Sequence, residues 1–404
     1  MSEWKKVRLG DCCLIGDGSH ASLKRQEKGI LYITAKNLTS NGLDISKVDY
    51  ISEELFNKHF KDNTNSITRP IRNDIIFSII GSLGACYLVK DEKFGISSSV
   101  AIFRSKGEII PLYLFYYLKS ETLKSEINSI KGGVAQGFMS LSKLGSLSIY
   151  YPSSIKRQHR IASILSRYDD LIENYQRQIK LLKEAAQRLY KEWFVDFRFP
   201  GHESTKFVNG IPEGWEKKKI FELGKVITGK TPSTAIKANY GGNIPFITIP
   251  DMHSGIYPTS SQTLSKRGAE SQSGKYIPEN SLMVSCIGTA GLVCITETLC
   301  QTNQQINSLV LDNNSELYYM YFTFLSLKEH LNNIGSNGAT MTNVNKSKFE
   351  NIEVTIPIDS LIFTFNDITI NIFSKIKNLS HQIRSLTEAR DRLLPKLMNG
   401  EIEV

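Results

Sequence analysis

The sequence predicts a mixed α/β (α+β) protein: two globular domains separated by two long antiparallel coiled-coil helices, with an internal pseudo-twofold repeat. Three observations carry that expectation. The run from Ser154 to Glu192 contains neither Gly nor Pro and steps by sevens through Ile161, Tyr168, Tyr175, Leu182 and Leu189. A second run near the end keeps the same step through Phe365, Ile372, Leu379, Leu386 and Leu393. Between and before these runs the chain resembles itself at an offset near 205 residues. A heptad seam needs a partner seam, and the two runs supply one another.

Taken in order, residues 1–152 mix apolar strands with turns: LYITAKNLTSNG, then NDIIFSIIGSLGACYLV, then SSSVAIFR, followed by the amphipathic PLYLFYYLKSETLKSEI. The uncharged stretch Ile75–Val89 is too short for a membrane helix and is broken by Gly81 and Gly84, so it reads as two buried strands and a turn. Residues 153–199 form the central helix and its aromatic tail, where Pro200 and Gly201 stop it. In its seam the positions three beyond the sevens, Ile164, Leu171, Gln178 and Ala185, give one polar layer. Residues 200–214 are a polar connector, 215–357 the second globule, and 358–404 the closing helix and tail, with Ile368 and Ala389 between its sevens.

The repeat is specific. SIIGSLG at Ser78–Gly84 aligns with SCIGTAG at Ser285–Gly291, and Gly133, Ser142, Lys143 and Pro152 align with Gly338, Ser347, Lys348 and Pro357. Trp4 answers Trp215, and Tyr32-Ile-Thr answers Phe246-Ile-Thr. Two helices that each follow a globule can lie antiparallel. At 1.5 Å per residue the central run would span about 58 Å, an upper limit of about 17 base pairs of B-DNA.

Composition excludes several classes. At 404 residues, 41% hydrophobic and 22% charged, the chain is an ordinary globular one, and its charge of +9 favours an anionic partner without specifying it. The charged start MSEWKKVRLGD fits no secretory or transit signal, so a cytoplasmic location is expected. Six cysteines without a C-x-x-C pair or a His cluster are expected to be reduced thiols, with no metal. Gly224–Thr231, GKVITGKT, matches the P-loop spacing, but Pro232 follows where a helix should start. There is no Pro-Pro dipeptide for an adenine methyltransferase motif. Asp74, Asp91 and Lys93 form a nuclease-like spacing that reads better as turn residues.

RIASILSRYDDLIENYQRQIKLLKEAAQRLYKEWFVDFRFPG, the closing RDRLLPKLMNGEIEV and the repeated I-G-S/T-x-G turns resemble the specificity subunits of type I restriction-modification systems over essentially the whole length. The resemblance implies two target-recognition domains that each read one half of a split, asymmetric double-stranded DNA sequence. It implies no catalytic centre and no cofactor on this chain. S-adenosylmethionine, ATP and Mg are expected on partners, namely two methyltransferase (M) subunits and the restriction (R) subunits.

Base reading needs donors and acceptors on rigid loops. The candidates are Lys36, Asn37, Ser82, Ser97, Ser98 and Gln136 in the first copy. In the second they are Lys230, Thr231, Asp251, His253, Thr289, Asn303, Gln304, Thr340 and Thr342. The aligned loops differ between copies, so two different half-sites are expected. Arg157 and Arg160, in a basic cluster with Lys156 and His159, read either as contacts to phosphate or an acidic partner or as a solvated face. Trp193, Phe194 and Phe197 read either as packing against the neighbouring globule or as an anchor for a partner subunit.

Overall fold

The computed structural model describes residues 4–39, 42–63, 66–81, 83–130, 138–335 and 342–404. They form two compact units, Met1–Glu173 with Arg384–Val404 and Asn174–Ile383. The division therefore falls inside both long helices, Ile155–Tyr190 and Asp359–Met398.

Each unit contains the same three sheets. In the first, Cys86–Leu88, Ile75–Ser78, Val100–Ser105 and Cys13–Asp17 lie in that order, all antiparallel. In the second, Val293–Ile295, Leu282–Ser285, Ile306–Leu311 and Gly224–Thr228 repeat the order and sense. Three-stranded sheets follow suit. Ile30–Ile33 pairs parallel with Phe94–Ile96 and antiparallel with Asp49–Ile51. Tyr240–Ile247 pairs likewise with Gln301–Thr302 and Gln262–Leu264. A third pairing, Trp4–Arg8 with Ser148–Pro152, recurs as Glu216–Lys219 with Glu353–Ile356.

The repeated Gly turns have a backbone cause. Gly81 and Gly84 have φ of 74° and 95°, and Gly288 and Gly291 have 76° and 88°, a region costly for residues with a Cβ. In both turns the second glycine donates its N–H to the carbonyl of the leading serine, Ser78 or Ser285. All six cysteines are free and buried, where partly buried thiols were expected.

The long helices pair as a seam in each unit, with a register one residue from the expected one. On the central helix Leu165, Ile172 and Ala186 are buried and Ile179 is partly so, whereas Leu171 is 37% exposed and Ala185 is exposed. The second row thus lies four residues beyond the sevens, and Ile179 takes the place expected for the polar layer at Gln178. The closing helix shows the same shift: Thr369 and Ile376 are buried and Ile368 is 43% exposed. Apolar or small residues occupy both alternative rows at three of the four layers on the central helix, and only Gln178 against Ile179 distinguishes them in the sequence.

The polar layer falls at Arg390 instead, in the first unit. Its Nη1 lies 2.5 Å from Asp169 Oδ1, and the Tyr116 hydroxyl donates to Asp169 Oδ2 at 2.8 Å. The side chains are 18% and 27% exposed, so water screens the pair only in part.

Both helix ends are buried by a tryptophan from the opposite repeat. Leu397 and Met398 enter the first unit's core beside Trp4, and Gly400 lies against that indole. Tyr190, Trp193 and Phe194 enter the second unit's core, where the Phe194 ring centroid is 4.8 Å from Tyr319, 5.0 Å from Phe365 and 6.0 Å from Trp215. Trp193 and Phe194 are 8% and 7% exposed, so their area is spent on their own core and is not an anchor for a partner. Phe197 is half-buried against Trp215 and Phe207, at centroid distances of 5.6 Å and 5.5 Å. The α-helix ends at Tyr190, before Pro200. A π turn, Lys191–Val195, follows, and Phe197 with φ of 55° reverses the chain. Arg157 is similarly engaged: its guanidinium lies 5.5 Å from the Trp4 ring and 4.0 Å from Glu403. Arg160, Lys156 and His159 are exposed.

Arg390→Leu should lower the first unit's stability by about 1–3 kcal/mol, because it strips a charged hydrogen-bond partner from Asp169. Urea unfolding of the single and double variants with Asp169→Asn should show non-additive losses.

Candidate nucleic-acid interface

In each unit two loops close against one another where the three-stranded sheet hands the chain to the four-stranded one. In the first copy these are Gly18–His20 and Ser97–Ser99; in the second, Gly229–Thr231 and Asn303–Gln305. The backbone frame is the same. Gly18 N donates to Val100 O and Ser19 N to Ile96 O; Gly229 N donates to Ile306 O and Lys230 N to Thr302 O. Ser97 N donates to Ile33 O, and Asn303 N to Ile247 O.

The glycines are there for close approach. A Cβ at Gly18 would lie 2.1 Å from Ile96 O, and one at Gly229 would lie 2.2 Å from Asn303 O. That accounts for the Gly-Lys-Thr of the apparent P-loop. Its first five residues are the strand Gly224–Thr228, and no α-helix starts at Lys230. The nuclease-like spacing also dissolves. Asp74, 1% exposed, accepts from Arg104 Nε at 2.9 Å and Nη2 at 2.7 Å, whereas Asp91 pairs with Arg72 and Lys93 with Glu53. Among the described residues no group of His, Cys, Asp or Glu is arranged to hold a metal.

Within each tripeptide the outer residues bind one another. Ser97 Oγ lies 2.5 Å from Ser99 Oγ. Asn303 Nδ2 donates to Gln305 Oε1 at 3.0 Å, and Gln305 N donates to Asn303 Oδ1 at 3.1 Å. The middle residue is left to point away: Ser98 is half-buried and Gln304 exposed. Thr231 donates its hydroxyl to Gln304 Oε1 at 2.7 Å, with Lys230 exposed alongside. The structure thus brings Lys230, Thr231, Asn303 and Gln304 together.

A second pair of candidates, Asn37 and Asp251, occupies equivalent places with a scaffolding role. Thr34 N and Oγ1 both donate to Asn37 Oδ1 at 3.0 Å, and Asn37 Nδ2 donates to Asp44 O and Lys47 O. Thr248 N and Oγ1 donate to Asp251 Oδ2 at 2.8 and 2.7 Å, and Ser261 N donates to Oδ1 at 2.9 Å. Burial pushes the Asp251 carboxyl up, but the donors from Thr248 and Ser261 outweigh it and hold the pKa below the ordinary aspartate value. These side chains brace turns; their polar atoms are already in use.

Of the others, Lys36 and His253 are exposed beside those braced turns. Thr289 is exposed in the second Gly turn, which Thr342 joins through its carbonyl, the acceptor for Gly288 N at 3.1 Å. Ser82, Gln136 and Thr340 lie outside the described residues.

Residues 1–184 and 212–384 match the sequence family described as the type I restriction modification DNA specificity domain. The chain belongs to that family. Among its relatives, the specificity subunit of type I restriction enzyme HindI from Haemophilus influenzae is 30% identical, the match covering 100% of both chains. The MjaIX specificity subunit of Methanocaldococcus jannaschii is also 30% identical, over 74% of this chain and 71% of that one. The fold resembles the crystal structure of a type I restriction-modification S subunit from M. genitalium, with a TM-score of 0.61 at 16% identity, covering 98% of this chain and 96% of that one. Among the described residues no helix of this specificity-family chain is long and apolar enough to cross a membrane.

Sequence reasoning passed over His20, Ser99 and Gln305. His20, the counterpart of Thr231, has a 74% exposed side chain, with Nε2 2.8 Å from Asp17. Aligning LIGDGSH with KVITGKT, and not only noting the missing Lys-Thr, would have found it.

Asp251→Ala should destabilise the second unit by about 1.5–3 kcal/mol, since three donors lose a charged acceptor. Because the folded pKa is lowered, the carboxylate's contribution is complete above the ordinary aspartate pKa and falls away as pH drops through the lowered value. Asp251→Asn, which puts in the residue of the first copy, should flatten that acid-side loss in a Tm-against-pH series.

Proposed function

We propose that this specificity subunit reads a bipartite, asymmetric DNA target, each unit taking one half, and positions methyltransferase and restriction subunits on it. One observation carries the reading: the same hydrogen-bonded frame occurs twice and displays different polar tips, Ser97–Ser99 beside His20 in one copy and Asn303–Gln305 beside Lys230 and Thr231 in the other. A shared scaffold with divergent donors and acceptors is what two different half-sites require. Two M subunits with S-adenosylmethionine and ATP- and Mg-dependent R subunits join it, and the complex works in the cytoplasm. The chain contributes recognition, and its partners contribute the cofactors and the chemistry.

A charge of +9 on 404 residues is modest for a lone DNA binder, so much of the phosphate contact comes from partner subunits. The paired helices set the gap between the half-sites.

Co-expression with the neighbouring methyltransferase gene, followed by mapping of methylated adenines, tests the reading: a split motif with two different halves is expected, and unspecific or absent methylation contradicts it. The purified chain alone should bind its site weakly and gain affinity when M subunits join. One heptad added to both helices should change the gap and leave both half-sites intact in the mapped motif. Lys230→Ala in the complex should lower affinity evenly across sequences and reduce the salt slope by about one.

A further inference from the structure

We infer that Gln304 is a specificity-determining residue of the second unit, reading the acceptor edge of one purine in the major groove, and that Thr231 is its positioning residue. The inference rests on the DNA-reading role proposed above and goes further by naming the side chain and the chemistry it recognises.

Four features set Gln304 apart from the other polar residues of the tip. First, its neighbours are consumed: Asn303 and Gln305 are joined by two hydrogen bonds, 3.0 and 3.1 Å. Second, Gln304 is exposed, whereas its counterpart Ser98 is half-buried on a side chain too short to reach far. Third, its amide is not free to spin. Thr231 Oγ1–H donates to Gln304 Oε1 at 2.7 Å, which assigns the oxygen to the protein side and offers the NH2 outward as a pair of donors. Fourth, the backbone beneath it is anchored to both sheets, by Asn303 N to Ile247 O and by Ile306 N to Asn303 O, so the tip is held rigidly.

A fixed amide with outward N–H groups suits purine N7, which both adenine and guanine present in the major groove. The second lone pair of Oε1 remains to accept from adenine N6 in the bidentate pairing open to glutamine. Exposed Lys230, adjacent in the chain to Thr231, supplies charge for the flanking phosphate without discriminating bases.

The test uses the full-length chain co-expressed with its methyltransferase partner, with methylated adenines mapped genome-wide for wild type, Gln304→Ala, Gln304→Glu and Thr231→Val. Gln304→Ala should lose discrimination at one base pair of one half-site and leave the other half-site unchanged. Gln304→Glu keeps the shape but removes both N–H donors, and should lower methylation of the wild-type motif about tenfold or more, the scale of a lost bidentate base contact. Thr231→Val should relax the same base pair to a smaller degree, which general unfolding would not do. If wild type methylates a split motif and Gln304→Ala leaves every position of it unchanged, or blurs both halves together, the inference is overturned while the DNA-reading role stands. If wild type itself yields no split motif, both fall.

Discussion

The apolar seams of two long helices have to be covered, and the structure covers them by lending each unit the start of one helix and the end of the other. The first unit buries Ile161, Ala162 and Leu165 together with Leu397 and Met398; the second buries Ala186, Tyr190, Trp193 and Phe194 together with Phe365, Phe373 and Ile376. Neither core can be assembled from one copy of the repeat. Burying a phenylalanine or leucine side chain contributes roughly 1.5–3 kcal/mol, so residues more than 170 positions apart in the chain share in each unit's stability. Trp4 and Trp215 mark the two equivalent places where a helix end from the other repeat is received.

Given that shared scaffold, the two copies divide their side chains into those that brace and those that display. Several bracing residues are the same type or a near match: Thr34 and Asn37 against Thr248 and Asp251, Gly18 against Gly229, Ser140 against Asn345 as the cap that accepts from Lys143 N or Lys348 N. Displayed residues diverge, as Ser98 does from Gln304 and His20 from Thr231. A rigid frame with replaceable tips can change what it reads without refolding, because surface changes away from caps and cores cost little stability.

Much of this was legible in the sequence. The repeat, the two long helices, the strand-turn-strand at Ile75–Val89 and the free cysteines each follow from a local rule: a period, a pair of glycines, a missing C-x-x-C. What was not legible depends on tertiary partners. Ile164 and Leu165, Leu171 and Ile172, and Ala185 and Ala186 offer two nearly equivalent rows side by side, which only Gln178 against Ile179 distinguishes in the sequence, and tertiary packing selects one. Trp193 and Phe194 look alike as core or as anchor until Trp215, Tyr319 and Phe365 are seen around them. At the interface, residue type flagged Asn37 and Asp251 as readily as Gln304, because a polar side chain that braces a turn and one that meets a ligand have the same chemistry. Only the hydrogen-bond inventory separates them.

The claim that each unit reads one half of the target through its own copy of the frame is tested most directly by making the copies alike. Residues 13–146 replaced by residues 224–351, in the full chain with its methyltransferase partner, join equivalent points of the two frames. Mapping of methylated adenines should then return a split target whose two halves carry the same bases, those of the original second half. Two halves that still differ, in a complex that assembles and methylates, would contradict the account.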